Sequence, residues 1–157
     1  MGSSGEPFLG TYLPYLLRQA DQALSAPFYA VLTEHGVARS EWRVLAVLAE
    51  LGAMPVVDLA AAALSPQPTV THALRRLEKR GLVARVNGTD DRRQRIASIT
   101  DEGMTLTSAL MADARQLEAT TLANIDRTEL TELITQLQAL THAIDTTDPE
   151  PARQGDR

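Results

Sequence analysis

The stretch QPTVTHALRRLEKRGLV, from Gln67 to Val83, decides how the rest of the chain is read. Within it Val70, Ala73, Leu74 and Leu77 recur at three- and four-residue intervals, which gathers apolar side chains on one face of a helix. With Val70 at the centre of that face and about 100° of rotation per residue, Pro68, His72, Arg75, Arg76 and Lys79 fall on the far side and Thr71 at its margin. Gly81 ends the helix. Before it, Ser65-Pro66-Gln67-Pro68 breaks the pattern, and a compact helix runs from Asp58 through Leu64. Two short helices joined by a tight turn make a helix-turn-helix.

Downstream the period changes to that of strands. Leu82–Val86 and Arg95–Ile99 are strand-like runs around the polar loop Asn87–Gln94, which predicts a hairpin, or wing. Thr100-Asp101-Glu102-Gly103 then opens a long helix with Met104, Leu110, Met111, Ala114, Leu117, Leu122 and Ile125 on or near one face. A break around Asp126–Thr128 precedes a last helix bearing Leu130, Leu133, Ile134, Leu137, Leu140 and Ile144. Upstream, Leu13, Leu16, Leu17, Ala20, Leu24, Phe28 and Val31 predict one long helix from Leu9 to about Leu32, with Pro14 near its start and a bend allowed at Pro27. Ser40 opens the next helix, with Glu41 in its first turn and a stripe of Trp42, Leu45, Ala46 and Leu48 that Gly52 stops. Met54–Val57 is long enough only for a minimal strand.

The net charge of -5 opposes nucleic acid as a sum, but its distribution does not. Arg75–Arg95 holds eight basic and three acidic residues, a local +5, so the remainder carries -10. A cationic face on an acidic molecule attracts phosphate locally and limits unselective binding. The helix therefore reads as a major-groove reader. Gln67, Pro68, Thr69, Thr71 and His72, near its N-terminus, face base edges, and Arg75, Arg76 and Lys79 anchor phosphates. In the wing, Asp91 and Arg93 stand two apart, so both project to one side and the carboxylate can steer the guanidinium into a narrow minor groove.

Other chemistries find little support. The chain has no cysteine, so it has neither disulfides nor a thiolate nucleophile, and His35, His72 and His142 form no ligand-spaced cluster. No glycine-rich phosphate cradle and no nucleophile beside a base stand in the sequence. No catalytic residue, metal or cofactor is expected, and no apolar run is long enough to span a bilayer. A cytoplasmic location fits these features.

The order of elements and two quoted segments, Thr69–Val83 and Asp91-Arg92-Arg93 followed by Thr100 and Gly103, resemble the MarR family of bacterial regulators over roughly Leu9–Ile144. The resemblance implies a homodimer with interlocked N- and C-terminal helices, two winged lobes on a near-palindromic double-stranded operator, and a small phenolic or anionic effector that weakens DNA binding. It casts Asp91 and Arg93 as the wing pair and Thr71–Arg76 as the groove-reading stretch. Three departures stand out. Asp90 replaces a frequent wing arginine, leaving minor-groove anchoring to Arg92 or Arg93. Leu64 replaces a common glycine, and Pro66 takes the place of a capping residue and leaves Ser65 as the expected cap. The absence of cysteine sets the chain apart from peroxide-sensing members.

The expected fold is mainly α with a small β-hairpin wing: a winged helix-turn-helix lobe plus long N- and C-terminal dimerisation helices. Residues 1–8 are expected to be a disordered start or a remnant of cloning, 9–38 and 101–145 the helical dimerisation region, 39–100 the DNA-binding lobe, and 146–157 a flexible tail. The dimer has a second argument, because the apolar stripes of the terminal helices exceed what the small lobe can cover. An aromatic wall with a cation suits an aromatic acid, which makes Tyr15, Arg18, Trp42, Arg43 and Arg85 the candidate effector residues. The function expected is a sequence-specific regulator, a repressor released by its effector. The alternative is a winged-helix architectural or protein-interaction factor without ligand response.

Overall fold

The computed structural model describes residues 7–87 and 95–145. They fall in two compact units, Met1–Ala119 and Thr120–Arg157. The first unit opens with α1 (Phe8–Thr11) and α2 (Leu13–Glu34). The single helix expected here is thus interrupted at Tyr12, whose backbone is extended (φ -78°, ψ 102°). Pro14 causes the break, since it has no N–H for a bond to the fourth residue back and its ring would meet that carbonyl. Pro27, by contrast, lies inside α2 without ending it.

Next comes α3 (Arg39–Leu51). It begins one residue earlier than expected, because Glu41 Oε2 reaches back to accept the Ala38 N–H at 2.8 Å, a better first-turn device than Ser40 offers. The short strand β1 (Met54–Pro55) leads directly into α4 (Val56–Ala62), which therefore starts before Asp58 and keeps that carboxylate in its first turn. A tight turn connects it to α5 (Gln67–Lys79). Val70, Ala73, Leu74 and Leu77 of α5 are all buried, against a core that includes Val44, Leu45 and Leu48 of α3 and Leu59 of α4.

The turn before α5 differs from the sequence expectation in one respect. Ser65 does not cap the helix; its Oγ donates backwards to the Ala63 carbonyl at 3.1 Å, and α5 starts after Pro66 with no side-chain cap. Leu64 adopts φ 49°, the left-handed conformation that glycine accepts without strain, and leaves its side chain 87% exposed. The helix-turn-helix thus keeps the glycine-type turn without the glycine.

Strands β2 (Val83–Asn87) and β3 (Arg95–Ile99) pair antiparallel, with Val83 opposite Ile99 and Asn87 opposite Arg95, and β1 joins the far edge of β3 through Met54 and Ala97. The resulting order is β1-β3-β2. Helix α6 (Asp101–Thr121) is locked to this sheet at its first turn. Thr100 Oγ1 donates to the Gly81 carbonyl at 2.7 Å and accepts the Gly103 N–H at 3.1 Å. Gly103 has no room for a side chain: a Cβ there would collide with the Leu82 carbonyl oxygen and lie 2.8 Å from Ile99 Cγ1. Mainly helical with a three-stranded sheet, the fold is that of a winged helix.

In the second unit, Asp126 Oδ1 accepts the N–H groups of Thr128 at 2.8 Å and Glu129 at 3.2 Å, which caps α7 (Arg127–Asp145). These amides, Glu129's foremost, hold the Asp126 carboxyl below its ordinary range.

Two substitutions test these contacts. Gly103→Ala should lower the unfolding free energy by about 2 kcal/mol or more, because the clash outweighs the helix propensity gained, and thermal unfolding should show a fall of roughly 4–8 °C in Tm. An unchanged Tm would contradict the close seating of α6 on the Leu82 backbone. Leu64→Gly should do the opposite, adding about 1 kcal/mol by removing left-handed strain and an exposed apolar side chain. Loss of stability in that variant would show that the turn is not strained.

Candidate nucleic-acid interface

The burial of α5 sorts its residues as the sequence period requires. Gln67, Pro68, Thr69, His72, Arg75, Arg76 and Lys79 are exposed, Thr71 is half-buried at the boundary, and the apolar stripe is inside. Gln67, Pro68, Thr71, His72 and Arg75 line one hollow of about 470 Å³. Three of them, Gln67, Thr71 and Arg75, also border a second hollow of about 330 Å³ that Val56 of α4, Arg85 of β2 and Arg95 of β3 complete. One surface therefore presents three guanidinium groups beside short polar side chains. Arg76 and Lys79 sit in the last turn of α5, where cations also favour the helix dipole.

Some of these charges are already partnered. Arg85 Nε donates to Glu78 Oε2 at 3.1 Å, tying β2 to α5, and this hydrogen-bonded guanidinium holds the Glu78 carboxyl below its ordinary range. Arg76 Nε lies 2.7 Å from Oε1 of Glu41 on α3, an ion pair without hydrogen-bond alignment. Arg75, Lys79 and Arg95 appear in no such ion pair among the described residues. Asp91, Arg92 and Arg93, expected at the wing, lie outside the described residues.

The five residues expected to hold an effector do not share one pocket. Arg85 belongs to the α5 surface just described. Trp42 is half-buried and meets Phe28 edge to face, with ring centroids 4.9 Å apart, so it serves the core. Arg18 and Arg43 do come together, in a hollow of about 430 Å³ between α2 and α3 that Asp21, Tyr29 and Arg39 also line. Tyr15 lines a neighbouring hollow with Arg18, Tyr12 and Phe8.

Sequence reasoning passed over two of the cations, and both left a signal. Arg39 stands four residues before Arg43 on one helix, which places the two on one face. Its guanidinium lies 3.6 Å from the centroid of the Tyr29 ring, a cation–π contact that fixes both at the hollow's wall. Arg95 closes the basic stretch that begins at Arg75, and as the first residue of β3 it stays exposed although it shares a strand face with buried Ala97. Among the described residues no group of His, Asp and Glu could hold a metal, and no helix is long and apolar enough to cross a membrane.

Comparison with known proteins agrees with this geometry. The model of the MarR family matches residues 37–94, from before α3 to the residue preceding β3. The homoprotocatechuate degradative operon repressor of Escherichia coli is 33% identical over 132 residues, which cover 82% of this chain and 88% of the repressor. The HTH-type transcriptional regulator FarR of Neisseria gonorrhoeae is 38% identical over 87 residues, 55% of this chain and 60% of FarR. Among solved structures, Bordetella bronchiseptica BpsR superposes with a TM-score of 0.74 at 26% identity over 82% of this chain and 98% of BpsR, in a study of how 6-hydroxynicotinic acid regulates its DNA binding. A winged helix with a cationic α5, matched over 82% of its length by a relative 33% identical to it, has its family fixed: the chain belongs to the MarR family, whose members are DNA-binding transcriptional regulators and not enzymes.

Proposed function

We propose that the chain is a homodimeric, cytoplasmic repressor that reads a near-palindromic operator and releases it when a small aromatic acid binds. The observation that carries the DNA half of this reading is α5, whose buried stripe fixes which side faces outward and leaves His72, Arg75 and Lys79 on that side. In the major groove Gln67, Pro68, Thr69, Thr71 and His72 would meet base edges, while Arg75, Arg76 and Lys79 engage phosphates. Arg93, steered by Asp91, and Arg92 would enter the flanking minor groove.

The division of labour expected from sequence, with 39–100 as the reading lobe and 9–38 and 101–145 as the dimerisation region, is supported by unmatched apolar surface. Of the 22 residues of α2 only Phe28 and Leu32 are buried. Phe8, Leu9, Leu13 and Leu16 stay 68%, 48%, 47% and 38% exposed, and Leu133 and Ile144 of α7 are likewise exposed. Surface of this kind marks an interface, and a second copy of the chain supplies the matching one.

The hollow between α2 and α3 supports the effector half. Arg18, Arg39 and Arg43 against the lone carboxylate of Asp21 leave it cationic, and Tyr29 adds an aromatic edge, which suits an aromatic carboxylate. The 6-hydroxynicotinic acid that regulates BpsR is a molecule of that type.

Operators selected from a random DNA pool provide the test. Wild-type chain should prefer one palindromic site over random duplex by about a thousandfold or more at physiological salt. Arg75→Ala should weaken binding and reduce the slope of log affinity against log salt by about one unit, since one fewer phosphate is neutralised. No selectivity would favour an architectural factor, and an unchanged slope would remove Arg75 from the interface.

For the effector, 6-hydroxynicotinate or salicylate at a hundredfold excess over Kd should raise Tm by roughly 5 °C or more and weaken operator binding, with both responses lost in Arg43→Ala. A wild-type protein whose Tm and operator affinity both ignore such acids would contradict the effector assignment.

A further inference from the structure

Glu41 is the only charged side chain buried among the described residues, with a relative exposure of 0%. Burying a carboxylate is costly unless charge and hydrogen bonds compensate it, so its partners show what it is for. Oε2 accepts the Ala38 N–H that begins α3, at 2.8 Å. Oε1 is 2.7 Å from Arg76 Nε, and Oε2 is 3.8 Å from Arg80 Nη1. The Arg80 guanidinium in turn donates to the carbonyls of Gly36 at 2.8 Å and His35 at 3.3 Å, at the end of α2. A single carboxylate thus joins the end of α2, the start of α3 and the C-terminal half of α5.

The contact with Arg76 is selective. It uses Nε, the inner nitrogen, and the side chain remains 56% exposed, which leaves the two Nη groups available for another acceptor. The contact lacks hydrogen-bond alignment, so it acts as a charge contact: a carboxylate 2.7 Å from Nε tethers the inner end of the rigid guanidinium fork and leaves the Nη groups for a second acceptor. We infer that Glu41 is a positioning residue for DNA binding: its buried carboxylate holds the Arg76 guanidinium at a preset place from which it meets a backbone phosphate. The same carboxylate holds that end of α5 against the α2–α3 corner. The inference rests on the reading of α5 as the groove helix, and its test separates the two.

Glu41→Gln is the informative change, because the amide oxygen can still accept the Ala38 N–H while the charge is lost. Operator affinity and its salt dependence are measured for wild type, E41Q, R76A and E41Q/R76A, with thermal unfolding to confirm that each is folded. R76A should weaken binding about tenfold and lower the salt slope by about one unit. E41Q should weaken binding about three- to tenfold and also flatten the slope, yet add less than about twofold to R76A, as expected when one residue acts through the other. R76K, which leaves the buried carboxylate untouched and keeps the charge but not the fork, should bind about threefold or more weaker than wild type.

Equal losses from E41Q with and without Arg76 would assign Glu41 a purely structural role, and unchanged or tighter binding by E41Q, or full affinity in R76K, would overturn the inference. If R76A itself leaves affinity and slope unchanged, the docking of α5 at that residue fails and the role of Glu41 falls with it. An effective R76A with an additive double variant sinks the role of Glu41 alone.

Discussion

Four side chains, Val70, Ala73, Leu74 and Leu77, hold α5 in the lobe, each no more than 1% exposed. Burial of the three larger ones is worth about 1.5–3 kcal/mol apiece, enough to fix the rotation of the helix about its own axis. That rotation is what matters for function. Turned by half a circle, α5 would bury Arg75 and Lys79 and expose an apolar stripe, at a cost far beyond the stability of a domain this size. Because the core sets the rotation, the cationic side needs no partner to be displayed, and a chain of net charge -5 can still offer a positive surface to phosphate.

The acidic residues are part of the same design. Glu78 binds Arg85 and Glu41 meets both Arg76 and Arg80, so three of the local cations are held by carboxylates, whereas Arg75 and Lys79 appear in no ion pair of the described residues. On α3 the alternation Arg39, Glu41, Arg43 faces two ways. The arginines border the hollow shared with α2, and the carboxylate between them turns inward to α5. One helical turn therefore touches both the surface suited to an acid ligand and the helix suited to DNA.

Much of this was legible in the chain itself, for physical reasons that differ between elements. The faces of α5 followed from a strong 3.6-residue period, and the hairpin from a change of period after Gly81, so both were fixed by local pattern. The break at Tyr12 was less visible. It depends on whether Pro14 acts at the start of a helix or within one, and Pro27 shows that a proline can also be tolerated inside. The role of Glu41 was hidden because a glutamate in a first turn is ordinary, and only the fold brings Arg76 and Arg80 to it from more than thirty residues away. Likewise only the fold shows that Trp42 meets Phe28 at the edge of the core and that Arg85 pairs with Glu78.

Photo-cross-linking tests the central claim most directly. A photoreactive residue replacing His72, on the outward side of α5, should cross-link to bound operator DNA, and one replacing Glu118, exposed on α6, should not. Cross-links from the α6 position with none from α5 would contradict the account.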